Sequence, residues 1–197
     1  MTLAVLLLAA VGPLACVPTG RLPASQEVVR EYRKVHQEGT RELKLYRQLE
    51  TRLLLRATWL DAPWRRAAVE LLARQAALSE PEHAALLEQE LARAEERYEV
   101  VFAAMRTEPE LREFGGGPDS PWRVRLDVAG QPCELIAITR IEEPSPSEAL
   151  LFPQGNAWAD LWRAEWSKAC GAEGTATLTV SSAAVSGAVT WPLLPPR

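Results

Sequence analysis

The stretch FGGGPDSPWRVRLDV, residues 114–128, decides the fold that this sequence predicts, because the hydrophobic period changes across it. Three consecutive glycines, followed closely by Pro118 and Pro121, disfavour both helix and strand. After them Trp122, Val124 and Leu126 alternate with charged residues, the pattern of a half-buried strand. We therefore predict an α+β protein in which a linker over 114–121 joins a helical part to a β part.

Residues 25–113, before the linker, are predicted to form a domain that is an amphipathic helical bundle or hairpin. Apolar residues between Val29 and Leu60 recur at steps of three and four, as on one face of a long helix capped by Ser25. Asp61 predicts the start of a second helix, and the capping box over 79–82 predicts a third that continues to about residue 105. The exposed faces of these helices would serve to bind a protein partner.

Residues 122–197, after the linker, are predicted to form a small antiparallel β domain with a sandwich-like arrangement. The segment 157–169 is compatible with two structures, because its tryptophans fit one face of a helix and also one face of a strand. Its residue propensities favour the helix. The predicted strands cover 122–128, 133–141, 149–152, 175–181 and 188–191.

The N-terminal segment MTLAVLLLAAVGPLAC carries an apolar run of the length found in secretory signals, ending at Cys16. It is shorter than the roughly 20 apolar residues that a membrane span needs. The alternatives are an ordinary signal peptide with an incidental cysteine and a core helix.

Residues 13–16 resemble the lipobox of bacterial lipoproteins, and loose motifs over 122–191 are similar to those of uncharacterised lipoproteins from Gram-negative bacteria. The resemblance implies that 1–15 is a signal peptide, that Cys16 is lipidated, and that 16–24 tethers the protein to a membrane. Because Val17 rather than aspartate follows the cysteine, it also implies an outer-membrane lipoprotein facing the periplasm. The resemblance implies no activity.

Composition and cysteine content narrow the class of protein further. A net charge of −4 disfavours nucleic acid as a partner, because binding to phosphates needs a basic surface. If the chain is exported, Cys133 and Cys170 meet an oxidising compartment, and we predict a disulfide between them. The alternative is a pair of buried thiols.

Residues with catalytic or metal-binding chemistry are sparse. The two histidines, His36 and His83, lie far from the cysteines and show no zinc-ligand spacing. His36 falls on an apolar stripe, which favours a buried or boundary histidine. Glu142 and Glu143 are adjacent on a strand end and would point to opposite faces. We therefore predict no enzyme activity, metal or cofactor, but a structural or protein-interaction role.

Tryptophan is the residue type that offers a different function. Exposed indole rings can stack on the apolar faces of sugars, so Trp158, Trp162 and Trp166 are candidates for a glycan- or peptidoglycan-binding platform. The competing interpretation is that these side chains fill the core of a domain with few phenylalanines.

Overall fold

The structure, a computed structural model, describes residues 25–106, 113–115, 117, 119–155 and 158–193. The predicted signal peptide, the lipidation site Cys16 and the tether up to residue 24 lie outside the described residues. The described chain is an α+β protein with predominantly antiparallel sheets.

Fifteen elements follow one another along the described chain: four α-helices, ten strands and a short 3₁₀ helix (Lys168–Cys170). The helices are α1 (Gln26–Gly39), α2 (Ala62–Ala76), α3 (Glu80–Glu96) and α4 (Pro146–Leu151). The strands are β1 (Thr40–Arg47), β2 (Glu50–Trp59), β3 (Arg97–Arg106), β4 (Phe114–Gly115), β5 (Trp122–Val128), β6 (Gln131–Pro132), β7 (Leu135–Ile141), β8 (Asp160–Ser167), β9 (Gly174–Ser181) and β10 (Ser186–Leu193).

The strands form two sheets. In the first sheet the order is β1-β2-β3-β8-β7, and every neighbouring pair is antiparallel. The second has the order β10-β9-β5-β4, with β6 also paired to β5. The first sheet therefore combines strands from both sides of the predicted linker.

One hydrophobic core receives side chains from both sheets. Alternate residues of β2 and β3, among them Leu53 and Phe102, join Trp122 and Leu126 of β5 in this cluster. At the edge of this core β10 packs so closely on β1 that a Cβ atom added to Gly187 would lie only 2.6 Å from a Leu45 methyl group. We call this cluster the inter-sheet core.

The predicted disulfide between Cys133 and Cys170 is confirmed. The two Cα atoms are 5.0 Å apart, within the range that a disulfide bridges. Cys133 directly follows β6, two residues before β7 begins, and Cys170 ends the short 3₁₀ helix after β8. Both side chains pack against the inter-sheet core. The bond therefore fastens the β7–β8 pair at the end where β7 begins and β8 ends.

Several elements lie where the sequence predicts them. Asp61 caps α2 by accepting the Trp64 backbone N–H at 2.9 Å, and the Ser79–Glu82 capping box starts α3. Ser25 caps α1. The strands β5, β7 and β9 and the β9–β10 pair are also confirmed.

The prediction of a purely helical segment over 25–113 is wrong. The first helix ends at Gly39, and the chain continues as the β1–β2 hairpin. The apolar residues that matter there are spaced by two: Leu43, Leu45, Leu53 and Leu55 all face the inter-sheet core. The stripe at steps of three and four is not a buried face, since Leu49 within it is fully exposed.

Three further elements differ from the prediction. The third helix ends at Glu96, and β3 follows it directly. The segment 157–169 contains strand β8, so the preferred helix is wrong and the alternative is right: Trp162, Ala164 and Trp166 share one buried face. The short strand predicted over 149–152 is instead the last turn of α4, which begins with its own capping box at Ser145.

Candidate functional site: the helix layer on the first sheet

Helices α1, α2 and α4 cover the outer face of the first sheet, the face turned away from the inter-sheet core. A second hydrophobic cluster lies between them and the sheet. Its buried members are Tyr32, Leu60, Trp64, Ala68, Leu71, Val101, Ala103, Leu151, Phe152 and Leu161. The Trp64 and Phe152 rings stack with their centroids 5.4 Å apart and join α2 to the segment after α4.

Beside this cluster four charged side chains form a group that we call the ion cluster. Arg65 of α2 and Glu99 of β3 are buried, whereas Glu90 and Arg93 of α3 are 22% and 32% exposed. The Arg65 side chain, 1% exposed, donates hydrogen bonds to both Glu90 and Glu99. Its Nε atom donates to the Leu60 carbonyl oxygen at 3.0 Å. Arg93 completes the group, at 3.2 Å from Glu90 and 3.1 Å from Glu99.

The ion cluster holds α3 on the rest of the fold. None of the 17 residues of α3 is buried, so apolar packing contributes little to its attachment. Removing charges from water is costly, and it is compensated only where charges of opposite sign meet in good hydrogen-bond geometry. Two guanidinium groups and two carboxylates meet that condition here, and they bring α2, α3 and β3 together at one point.

A narrow cleft of about 110 Å³ opens between α2, α3 and α4 above the ion cluster. Apolar side chains, including Trp64, Leu86 and Phe152, line one part of it, and the ion cluster lines another. Arg163 of β8 reaches it from the sheet and pairs with Glu148 of α4 at 3.3 Å. The charged side chains that the structure describes in this cleft are each paired with one of opposite charge, so none of these offers an unpaired charge to an ionic ligand.

His36 lies in an aromatic pocket formed by α1, α2 and the loop after α4. The indole N–H of Trp64 donates to its Nδ1 atom at 3.3 Å, and the Tyr32 hydroxyl lies 3.2 Å from the same nitrogen. Because the indole N–H can only donate, Nδ1 is the acceptor, and burial favours the neutral ring by lowering the pKa of His36. The Tyr32 hydroxyl donates a hydrogen bond to the Leu151 carbonyl oxygen, and burial raises the pKa of Tyr32. The predicted boundary histidine is confirmed.

The other histidine lies at the surface of the helix layer. His83, in the first turn of α3, approaches Glu70 of α2 at 3.4 Å. Within the described residues, no group of three or more histidine, cysteine, aspartate or glutamate side chains is arranged to hold a metal ion.

The three-tryptophan platform is not present on the surface. Trp162 and Trp166 are 4% and 0% exposed and belong to the inter-sheet core, so neither ring face is accessible to a sugar. Strand β8 directs both side chains to the same buried face as Ala164, while Leu161 packs on the opposite face under the helices. Trp158, just before β8, is the exception, at 82% exposed.

The ion cluster is the feature that the sequence interpretation missed. Its signal was present: Arg65 lies between Trp64 and the apolar residues Ala68 and Val69 on the inner face of α2. Glu99 interrupts the strongly β-forming run YEVVF. A charge at a position that should be buried requires a partner, and two such positions in neighbouring elements indicate a pair.

Comparison with known proteins returned no matching family model, no matching curated protein and no matching solved structure. Among the described residues, no helix combines the length and the apolar character needed to cross a membrane.

Proposed function

We propose that this chain is a lipid-anchored protein of the bacterial cell envelope that is not an enzyme and that binds another envelope protein through helix α3. The Cys133–Cys170 disulfide supports export, because such bonds persist in oxidising compartments such as the periplasm and are rare in the cytosol. The anchor would be lipid on Cys16, which becomes the first residue of the mature protein when residues 1–15 are removed.

The observation that carries the interaction role is the exposure of α3. Leu87, Leu91 and Ala94, spaced by four and three, lie along one side of this helix and are only half-buried. Amphipathic helices that present such a stripe bind grooves on partner proteins. The ion cluster fixes the orientation of α3, so a partner would meet a pre-ordered helix and the entropy cost of binding would be smaller.

Site-specific photo-crosslinking in cells of the source organism tests the interaction. A crosslinker at Leu87 or Leu91 should form an adduct with one defined protein, whereas the same group at Arg123, exposed on β5, should not. Leu91→Glu should abolish the adduct formed from Leu87, while Glu88→Gln, on the exposed side, should leave it unchanged. Equal adducts from all three crosslinker positions would contradict a specific α3 interface.

Fractionation tests the anchor separately. Wild-type protein should sediment with membranes and carry lipid on Cys16 by intact mass. The variant Cys16→Ser should become soluble or remain an uncleaved precursor. A wild-type mass without lipid would contradict this part of the proposal.

Glycan binding is a second candidate, and the exposure of Trp158 is what favours it. A single exposed ring is a small platform, so we expect peptidoglycan fragments to leave the tryptophan fluorescence unchanged. A saturable change that disappears in Trp158→Phe would establish the glycan function instead.

A further inference from the structure

The described residues contain six large apolar side chains that are exposed, and four of them lie at one end of the first sheet. They are Tyr46, Leu49, Met105 and Trp158, exposed by 54%, 100%, 38% and 82%. We call these four residues the apolar tip. A lone exposed apolar residue is ordinary, but a group of this size at one place indicates an interaction surface.

The strand register places these residues at the same end of the first sheet. The β1–β2 hairpin turns at Gln48 and Leu49. Met105 pairs with Leu54 of β2, five residues after Leu49. Ala104 pairs with Asp160, so Trp158 precedes the start of β8 at this same end. With strands about 4.8 Å apart, the four-strand width from β1 to β8 is about 15 Å.

The chemistry of the apolar tip suits a lipid surface. Tryptophan and tyrosine combine an apolar ring with a polar group, and they concentrate at the boundary between lipid headgroups and acyl chains. Leu49 lies at the point of a hairpin, where its side chain would enter the acyl region first. Arg47 next to it is exposed and would remain among the lipid phosphates.

The predicted tether brings this surface to a membrane. Nine residue steps separate Cys16 from Ser25, where the described chain begins, and nine residues span at most about 32 Å when fully extended. A chain held by lipid on Cys16 would therefore keep its folded part beside the bilayer. Weak insertion then suffices, because the anchor raises the effective concentration of lipid around the tip.

We propose that the apolar tip inserts into the headgroup region of a phospholipid bilayer and orients the anchored protein on its membrane. This inference rests on the lipid anchor of the proposed function. It adds a second, independent membrane contact, formed by the fold itself, and it leaves α3 for the protein partner.

Trp158 is a built-in reporter of insertion, because the other six tryptophans are 5% exposed or less. The full-length lipidated protein is reconstituted in phosphatidylethanolamine–phosphatidylglycerol vesicles with brominated acyl chains, which quench nearby indoles. We expect quenching of one component of the emission in the wild type and its complete loss in Trp158→Phe. Leu49→Ser should weaken the quenching. Ile136→Ser removes another exposed apolar residue, at the opposite end of the sheet, and should leave quenching unchanged.

The outcomes separate the two proposals. Unquenched Trp158 in protein that carries lipid by intact mass overturns the insertion of the tip and leaves the anchor standing. A protein without lipid overturns the anchor, and added vesicles still test the tip, since quenching that depends on Trp158 and Leu49 supports insertion by the fold alone. Quenching that persists in Trp158→Phe overturns the proposal, as would quenching that Ile136→Ser reduces as much as Leu49→Ser.

Discussion

The two faces of the first sheet are covered in different ways. On the inner face, apolar side chains of two sheets meet, and the Cys133–Cys170 disulfide closes one end. On the outer face the helices rest partly on apolar contacts, but α3 is held by the ion cluster and has no buried residue. The comparison teaches that apolar burial and a disulfide stabilise the inner face, whereas on the outer face paired charges also fix the position of α3.

The largest effect is expected from truncating the inter-sheet core. Trp166→Ala removes a fully buried ring and should lower the free energy of unfolding by about 3–5 kcal/mol. Trp158→Ala, the matched control, removes an exposed ring and should change it by less than about 0.5 kcal/mol. Urea denaturation measures both, and similar losses in the two variants would contradict the assignment of the core.

Disrupting the ion cluster on the outer face should lower the free energy of unfolding by a comparable amount. Arg65→Met leaves the buried Glu99 with Arg93 as its remaining partner, and breaking a buried pair in this way costs up to about 3–5 kcal/mol. Arg74→Met, on the same helix, removes only an exposed contact to Glu70, which is worth about 0.5 kcal/mol or less. If both variants unfold at the same urea concentration, the charges do not hold α3.

Reducing the disulfide should have the next largest effect. Opening a loop with a sequence separation of 37 should lower stability by about 3–4 kcal/mol in the chain-entropy account, and strain often reduces that figure. Denaturation of the wild type with and without reductant measures the loss, and Cys133→Ala together with Cys170→Ala should reproduce it. No change on reduction would show that the bond contributes nothing to the inter-sheet core.

A smaller loss of stability is expected when the pH is lowered and His36, between the helices, takes up a proton. Burial lowers the pKa of His36 in the folded protein, so the unfolded chain binds a proton more readily. The neutral His36 side chain therefore makes its full contribution to stability above the ordinary histidine pKa of about 6.5. This contribution is lost as the pH falls through the lower pKa that His36 has in the folded state. Protonation also removes the Nδ1 acceptor of the Trp64 N–H.

One variant isolates this titration from the rest of the chain. Stability measured between pH 7.5 and 5 should fall less in His36→Gln than in the wild type. An unchanged slope in His36→Gln would assign the acid sensitivity to other groups.

The sequence predicted the elements that carry explicit boundary residues. Asp61, the capping box at Ser79 and the alternation in β5 are local signals, and each predicted the start of its element correctly. The β1–β2 hairpin lacks such a signal: its turn uses Gln48 with a φ of 56° instead of glycine or asparagine. The junction of α3 and β3 at Arg97 likewise has no glycine or proline.

Tertiary contacts explain the remaining differences. The residues of β1 and β2 favour helix locally, and they become strands because Leu43, Leu45 and Leu55 can be buried against the second sheet. Within the candidate site, the partly buried position of His36 was predictable, because His36 falls on an apolar stripe in the sequence. The ion cluster was not identified, because Arg65 and Glu99 are 34 residues apart and meet only in the folded chain.

The most direct test of the shared core is proteolysis between residues 113 and 121. The sequence predicts two separable domains there, whereas the structure places Leu53 and Phe102 in the same core as Trp122 and Leu126. We therefore expect the nicked halves to remain associated and to melt in a single transition. The isolated 122–197 fragment should lose its near-ultraviolet tryptophan dichroism. A fragment that keeps this signal and melts cooperatively on its own would contradict a core shared across the linker.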